Sequence, residues 1–179
     1  ISAQDGATIR LEPGGGVAVM VSVGEQGQGN EAIYAQIAAD AVSVPMSAVR
    51  LITGDTDAVP YGGGTWASRG AGIGGEAVLQ AGLALRANIL KVAEAILKRD
   101  ASDLKLSNGV VVDAATGAEL LPLHELGRVA YYRPDTLPAG FTSELMVTRH
   151  YAQRDYPFIF TNGVQASYVE VETETGCCQ

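Results

Sequence analysis

The sequence predicts an α+β fold, with short strands first, then two main helices each entered through a glycine-rich loop, then a β-rich C-terminal third. Three observations carry this. Apolar residues alternate near both ends of the chain, and they recur at helical spacing in two central stretches. Glycine, at 22 of 179 residues well above the usual roughly 7%, clusters ahead of those two stretches.

Ala7 to Leu11 and Val17 to Val23 read as strands joined through Glu12-Pro13-Gly14-Gly15-Gly16, the composition of a hairpin connection. Gly24-Glu25-Gln26-Gly27-Gln28-Gly29 then feeds a helix from about Asn30 to Val44, in which Ile33, Ile37 and Ala41 share a face and Pro45 marks the exit. Val49 to Thr53 is a further strand, ended by Gly54-Asp55-Thr56-Asp57. Residues 60–75 are too rich in glycine for a regular element and must form a shaped loop.

That loop runs into the longest helix, about Gly74 to Lys98. Leu85, Ile89, Val92 and Ile96 make one apolar stripe, and Leu83, Leu90 and Leu97 a second, so burial on more than one side is expected. Leu106 to Asp113 suggests a small hairpin around Asn108-Gly109, and Leu121 to Tyr132 a short amphipathic helix followed by loop at Arg133 to Pro138. Leu145 to Tyr151, Pro157 to Phe160 and Val164 to Thr173 read as strands. Glu172-Thr173-Glu174-Thr175-Gly176 reads as a turn, after which Cys177-Cys178-Gln179 starts a returning strand. With Ile1 in place of an initiator Met, residues 1–179 are expected to be a single unit cut from a longer protein at both ends.

Composition narrows the function. Twelve Lys and Arg against twenty Asp and Glu give a net charge of −8, so the basic surface that tracks nucleic-acid phosphates is missing and no nucleic-acid partner is expected. No apolar run approaches the roughly 18 residues of a membrane span, which points to a chain without membrane contact. Adjacent Cys177 and Cys178 cannot form an ordinary structural disulfide, and a reducing, cytoplasmic compartment is the simpler expectation.

Motifs for metals and nucleophiles are also missing. His124 and His150 are far apart in sequence, with no H-E-x-x-H and no spaced cysteine pairs, so no metal ligand is expected. No serine stands in G-x-S-x-G. Gly70-Ala71-Gly72-Ile73-Gly74-Gly75 satisfies G-x-G-x-x-G and opens a helix, but a dinucleotide fingerprint follows directly on a strand, and here the preceding strand ends well upstream.

What remains is two glycine-rich loops, each delivering polar side chains at a helix start. Such loops suit a ligand carrying an anion and a flat heterocycle, because exposed N–H groups and the helix dipole attract phosphate. Gln28 offers a donor and an acceptor to a ring edge, and Ser68 and Arg69 offer a hydroxyl and a cation to phosphate. The same glycines would equally serve tight turns and close helix packing, and spacing alone does not separate the two.

The ordered series resembles a known family. Gly27-Gln28-Gly29 with Glu31, Tyr34-Ala35-Gln36-Ile37-Ala38 and Pro45, then Gly54-Asp55-Thr56-Asp57, Pro60-Tyr61-Gly62 and Gly64-Thr65-Trp66-Ala67-Ser68-Arg69, are similar to the large-subunit cofactor domain of the molybdenum hydroxylases, the group of xanthine dehydrogenase, aldehyde oxidase and aerobic carbon monoxide dehydrogenase. Thr148-Arg149-His150-Tyr151, Phe160-Thr161-Asn162-Gly163, Val169-Glu170-Val171 and Glu174-Thr175-Gly176 fit the same pattern, so the match runs from about Gly15 to Gly176.

The resemblance implies a mixed-sheet subdomain that binds molybdopterin, in bacterial members usually as the cytosine dinucleotide. It places Gly27, Gln28, Gly29, Ala67, Ser68, Arg69 and Gly70 against the pterin and its phosphate. It also implies partners: the rest of the large subunit, iron–sulfur clusters and FAD on other domains or subunits, and a small-molecule substrate. The family's Phe-Gly-Gly loop is expected upstream of Ile1 and its catalytic glutamate downstream of Gln179, so this stretch alone is expected to be inactive, with no catalytic residue of its own. The other class that fits is a non-catalytic binding or assembly module that kept the fold.

Overall fold

The computed structural model describes residues 4–153 and 163–178. Seven strands and three α-helices follow in the order β1 (Gln4–Leu11), β2 (Val17–Val21), α1 (Asn30–Val42), β3 (Val49–Thr53), α2 (Gly75–Leu97), β4 (Leu104–Ser107), β5 (Val110–Asp113), β6 (Glu119–Pro122), α3 (Leu123–Tyr132) and β7 (Met146–Ala152). The main sheet is mixed, in the order β3-β2-β1-β7. β1 pairs antiparallel with both β2 and β7, whereas β2 and β3 run parallel, joined by a β–α–β crossover through α1.

One face of this sheet makes the core. Ala7, Ile9, Leu11, Val17, Val19 and Val21 are fully buried, and they meet Ala38 and Val42 of α1 and Ala77, Val78, Ala81, Leu85 and Ile89 of α2. The two helices approach closely at Gly82, where a Cβ would stand 2.6 Å from that of Ala41. Only a glycine fits that crossing. A second sheet, β4-β5-β6, packs with α3 at the far end of α2 through Leu106, Val111, Leu121, Leu123 and Leu126. Its first hairpin turns at Asn108 and Gly109 with φ of 47° and 80°, the paired left-handed residues a two-residue turn requires.

Four details differ from the sequence reading. The buried stripe of α1 is Asn30, Tyr34, Ala38, Ala41 and Val42, while Ile33 and Ile37 sit at its edge, because the Tyr34 hydroxyl donates inward to the Gly70 carbonyl at 2.9 Å. On α2 the second stripe is not buried: Leu83 is 49% exposed and Leu90 and Leu97 are partly so. β6 takes Leu121 and Pro122, so α3 starts at Leu123. Residues 163–170 have no neighbouring strand among the described residues, with Val164 and Tyr168 almost fully exposed, since alternation makes a strand only where another edge receives its hydrogen bonds.

The turn after Glu172 does form. The Gly176 amide donates to the Glu172 carbonyl at 2.8 Å and Val171 bridges Cys178 antiparallel. The expected strand Pro157 to Phe160 and the Phe160-Thr161-Asn162 motif lie outside the described residues.

Candidate functional site

The two glycine-rich loops, far apart in sequence, lie side by side. The chain leaves β2, turns at residues 24–29 and enters α1; the 60–74 loop folds over the same edge and enters α2 through a π-type turn at Gly70–Gly74. Between them lies a cleft of about 470 Å³ whose walls include Gln26, Gln28 and Asn30 from the first loop and Thr65, Trp66, Ala67, Ser68, Arg69, Gly70 and Ala71 from the second. The loops are stitched together behind it. The Gly24 carbonyl accepts Thr65 Oγ1 at 2.6 Å and Asn30 Nδ2 at 3.2 Å, and the Tyr34 hydroxyl closes on Gly70. Burial, with the Asp5 carboxylate near, pushes the Tyr34 phenol far up, so it stays a neutral donor.

The second loop is shaped by an ion pair below it. Arg69 Nη1 meets Asp5 Oδ2 at 2.9 Å with both side chains out of solvent, and the guanidinium also donates to the carbonyls of Gly64 and Gln4 at 2.7 and 2.5 Å. Ser22 donates to both Asp5 oxygens, and the Gly6 amide to one of them. Gly62 crosses directly over this cluster, where any Cβ would overlap Ser22 Oγ and Asp5 Oδ1. The sequence reading gave the Arg69 cation to a phosphate; its charge is instead met by Asp5, because burial at 3% exposure demands a counter-ion.

Above the pair the chain takes two consecutive left-handed residues, Ala67 and Ser68, with φ of 51° and 55°. Both are exposed, and the Ser68 hydroxyl has no hydrogen-bond partner among the described residues. The Arg69 carbonyl accepts the amides of Ile73 and Gly74 at 2.9 and 3.3 Å, which leaves those of Gly70, Ala71 and Gly72 as the unpaired first donors of the helix. With the positive end of α2 behind them, these donors and Ser68 suit a phosphate.

The first loop differs. Gly27 and Gly29 take φ of 94° and 82°, and the amides of Gln26, Gly27, Gly29 and Glu31 all donate to the Glu25 carboxylate at 2.8 to 3.1 Å. Four N–H groups at this turn are therefore spent internally, and a second anion beside them would be repelled. What this loop presents is side chain. Gln28 Oε1 accepts the Gln26 amide at 2.7 Å, and its Nε2 has no partner among the described residues. The cleft thus has a neutral amide edge on one side, an edge of unpaired N–H and hydroxyl donors on the other, and the ring of Trp66, 47% exposed, at its rim. A flat heterocycle bearing a phosphate matches that set of donors.

Among the described residues no group of three or more His, Cys, Asp or Glu could hold a metal ion, and no helix is long and apolar enough to cross a membrane. His124 and His150 are both exposed. Asp5, Glu25 and Asn30 were missed in sequence. An acid opening a β-type run and an acid two residues before Gly27-Gln28-Gly29 were the available signals, but only the fold shows what each one meets.

Architecture and cleft together define a binding unit in which two helix-opening loops share one cleft. The whole stretch, residues 1–179, matches the family of the molybdopterin cofactor-binding domain, and the chain belongs to that family. It is 30% identical over 172 residues to the nicotine 6-hydroxylase large subunit of Paenarthrobacter nicotinovorans and 27% identical over 172 residues to the carbon monoxide dehydrogenase large chain of Hydrogenophaga pseudoflava, covering 96% of this chain and 21% of each relative. Quinoline 2-oxidoreductase from Pseudomonas putida 86 superposes with a TM-score of 0.77 at 37% identity, over 86% of this chain and 19% of that one. The chain spans about a fifth of the length of these relatives. It aligns with one stretch of each of these longer chains.

Proposed function

We propose that this segment supplies pterin and phosphate contacts to molybdopterin, in its cytosine dinucleotide form, within a molybdenum hydroxylase that acts on a small molecule. The cleft between the two loops carries the reading, because it joins unpaired ring-edge and anion donors in one space of about 470 Å³. Gln28, held between Gly27 and Gly29, reaches the heterocycle; Ala67, Ser68 and Gly70 meet the phosphate side, and Arg69 holds that loop in shape from below. When bound, the cofactor would supply two-electron oxidation of a substrate with oxygen drawn from water. Iron–sulfur clusters and FAD belong to other domains or subunits, and the assembly is cytoplasmic. In this reading the described residues of the segment bind and orient, and the base is supplied from outside it.

In a full-length large subunit carrying this segment, Gln28→Ala removes hydrogen bonds worth about 0.5 to 1.5 kcal/mol each. Molybdenum content after gel filtration should fall while the melting temperature holds. Unchanged content and turnover would refute the role of Gln28.

A further inference from the structure

Glu25 is an exposed residue at the start of the loop that supplies Gln26 and Gln28 to the cleft. Val23 is fully buried, and the carbonyl of Gly24 is gripped by Asn30 and Thr65, so Glu25 leaves the core from a fixed point. Its side chain then folds back beneath its own loop. Oε1 accepts from the amides of Gly27, Gly29 and Gln26 at 2.8, 3.0 and 3.1 Å, and Oε2 from that of Glu31 at 3.1 Å. The Gln26 amide is shared with Gln28 Oε1 at 2.7 Å, which ties the carboxylate to the side chain facing the cleft through one hydrogen atom.

We infer that Glu25 is a positioning residue: as a carboxylate it is the internal anion around which residues 26–31 close, and this closure presents Gln28 to the cleft. The physical reason is convergence. Two left-handed glycines bend the chain so that four N–H dipoles point at one spot at the start of α1. Left empty, that exposed spot would leave four converging donors to mobile water, beside the positive end of a helix dipole, with nothing in the chain to hold them together. A carboxylate satisfies all four at once. A glutamine offers one oxygen and turns an NH₂ group against the remaining donors, so shape alone cannot replace charge. What Gln28 meets rests on the cofactor reading above; the shape of its loop does not.

The amide of Glu31, then those of Gly29, Gly27 and Gln26, hold the Glu25 carboxyl below the usual glutamate value of 4.5. Order contributed by the charge is therefore complete above about pH 4.5 and is lost as pH falls through the lower value of the closed loop. Among the described residues, the titratable neighbours are Glu31 on α1 and the Tyr34 phenol, which senses the Glu25 charge. From the facing 65–70 loop the charged side chain is Arg69, turned onto Asp5.

The test is residue-resolved amide exchange on the cofactor-free full-length subunit, comparing wild type with Glu25→Gln, Glu25→Asp and Glu25→Ala. Wild type should protect Gly27, Gly29 and Glu31 near neutrality and lose that protection in acid. Glu25→Gln and Glu25→Ala should exchange these amides at least about tenfold faster, without the acid transition, while β1 and α2 stay protected; Glu25→Asp should keep part of the protection. Unchanged exchange in Glu25→Gln would overturn the inference, as would a rise spread equally over β1 and α2. Molybdenum content separates the two readings. Faster exchange confined to the loop, with full cofactor in Gln28→Ala, would remove the cofactor role of Gln28 and leave that of Glu25 standing.

Discussion

Asp5 and Arg69 are the ion pair with both side chains out of solvent among the described residues, at 0% and 2% exposure. A buried pair adds little net stability, since desolvation offsets attraction, but removing one member strands the other. Asp5→Ala leaves the guanidinium with carbonyl partners alone and should cost about 3–5 kcal/mol in urea unfolding. Asp5→Leu with Arg69→Met, which removes both charges, should regain most of that loss. It should not regain the left-handed geometry of Ala67 and Ser68, so cofactor content should stay low in the double variant. Full cofactor content there would show that the pair does not shape the loop. Sequence alone marked Arg69 as a site residue and missed its direction, because the partner lies 64 positions upstream in a strand and pairing across that distance leaves no local periodic trace.

At the scale of elements, the α1–α2 crossing is set by size. Gly82 faces Ala41 too closely for any Cβ, and Ile9 lies beneath the same spot. Gly82→Val forces the helices apart or α2 off the sheet, and overpacking of this kind costs about 1–3 kcal/mol. The loss should show in urea unfolding, and an unchanged midpoint would mean that the crossing yields freely. Both helices were legible because each combines apolar periodicity with a glycine-rich entry, and Pro45 marks the exit of the first. The width of their buried faces was not legible. Leu83 has the composition of a core stripe, and only the arrangement of the sheet leaves it outside, with Leu90 and Leu97 at the margin of the core. β6 was hidden for a related reason, since Glu119–Pro122 becomes a strand by pairing with β5 and carries no alternation of its own.

For the whole molecule, the mixed sheet with two helices on one face places two helix N-termini at a single edge, and the cleft is a product of that topology. Their chemistry is divided. The start of α1 is neutralised internally by Glu25, and the start of α2 keeps its donors. The sequence showed both loops and could not show this division, because it depends on which way four amides turn. The central claim is that this cleft holds the cofactor. Ser68 offers the cleanest probe, being exposed, lining the cleft and having a hydroxyl without a hydrogen-bond partner among the described residues. Ser68→Trp should fill the cleft without disturbing the core, so molybdenum bound per full-length large subunit should drop to less than about a tenth of wild type while the melting temperature is unchanged. Wild-type molybdenum content in that variant would place the cofactor elsewhere and contradict the account.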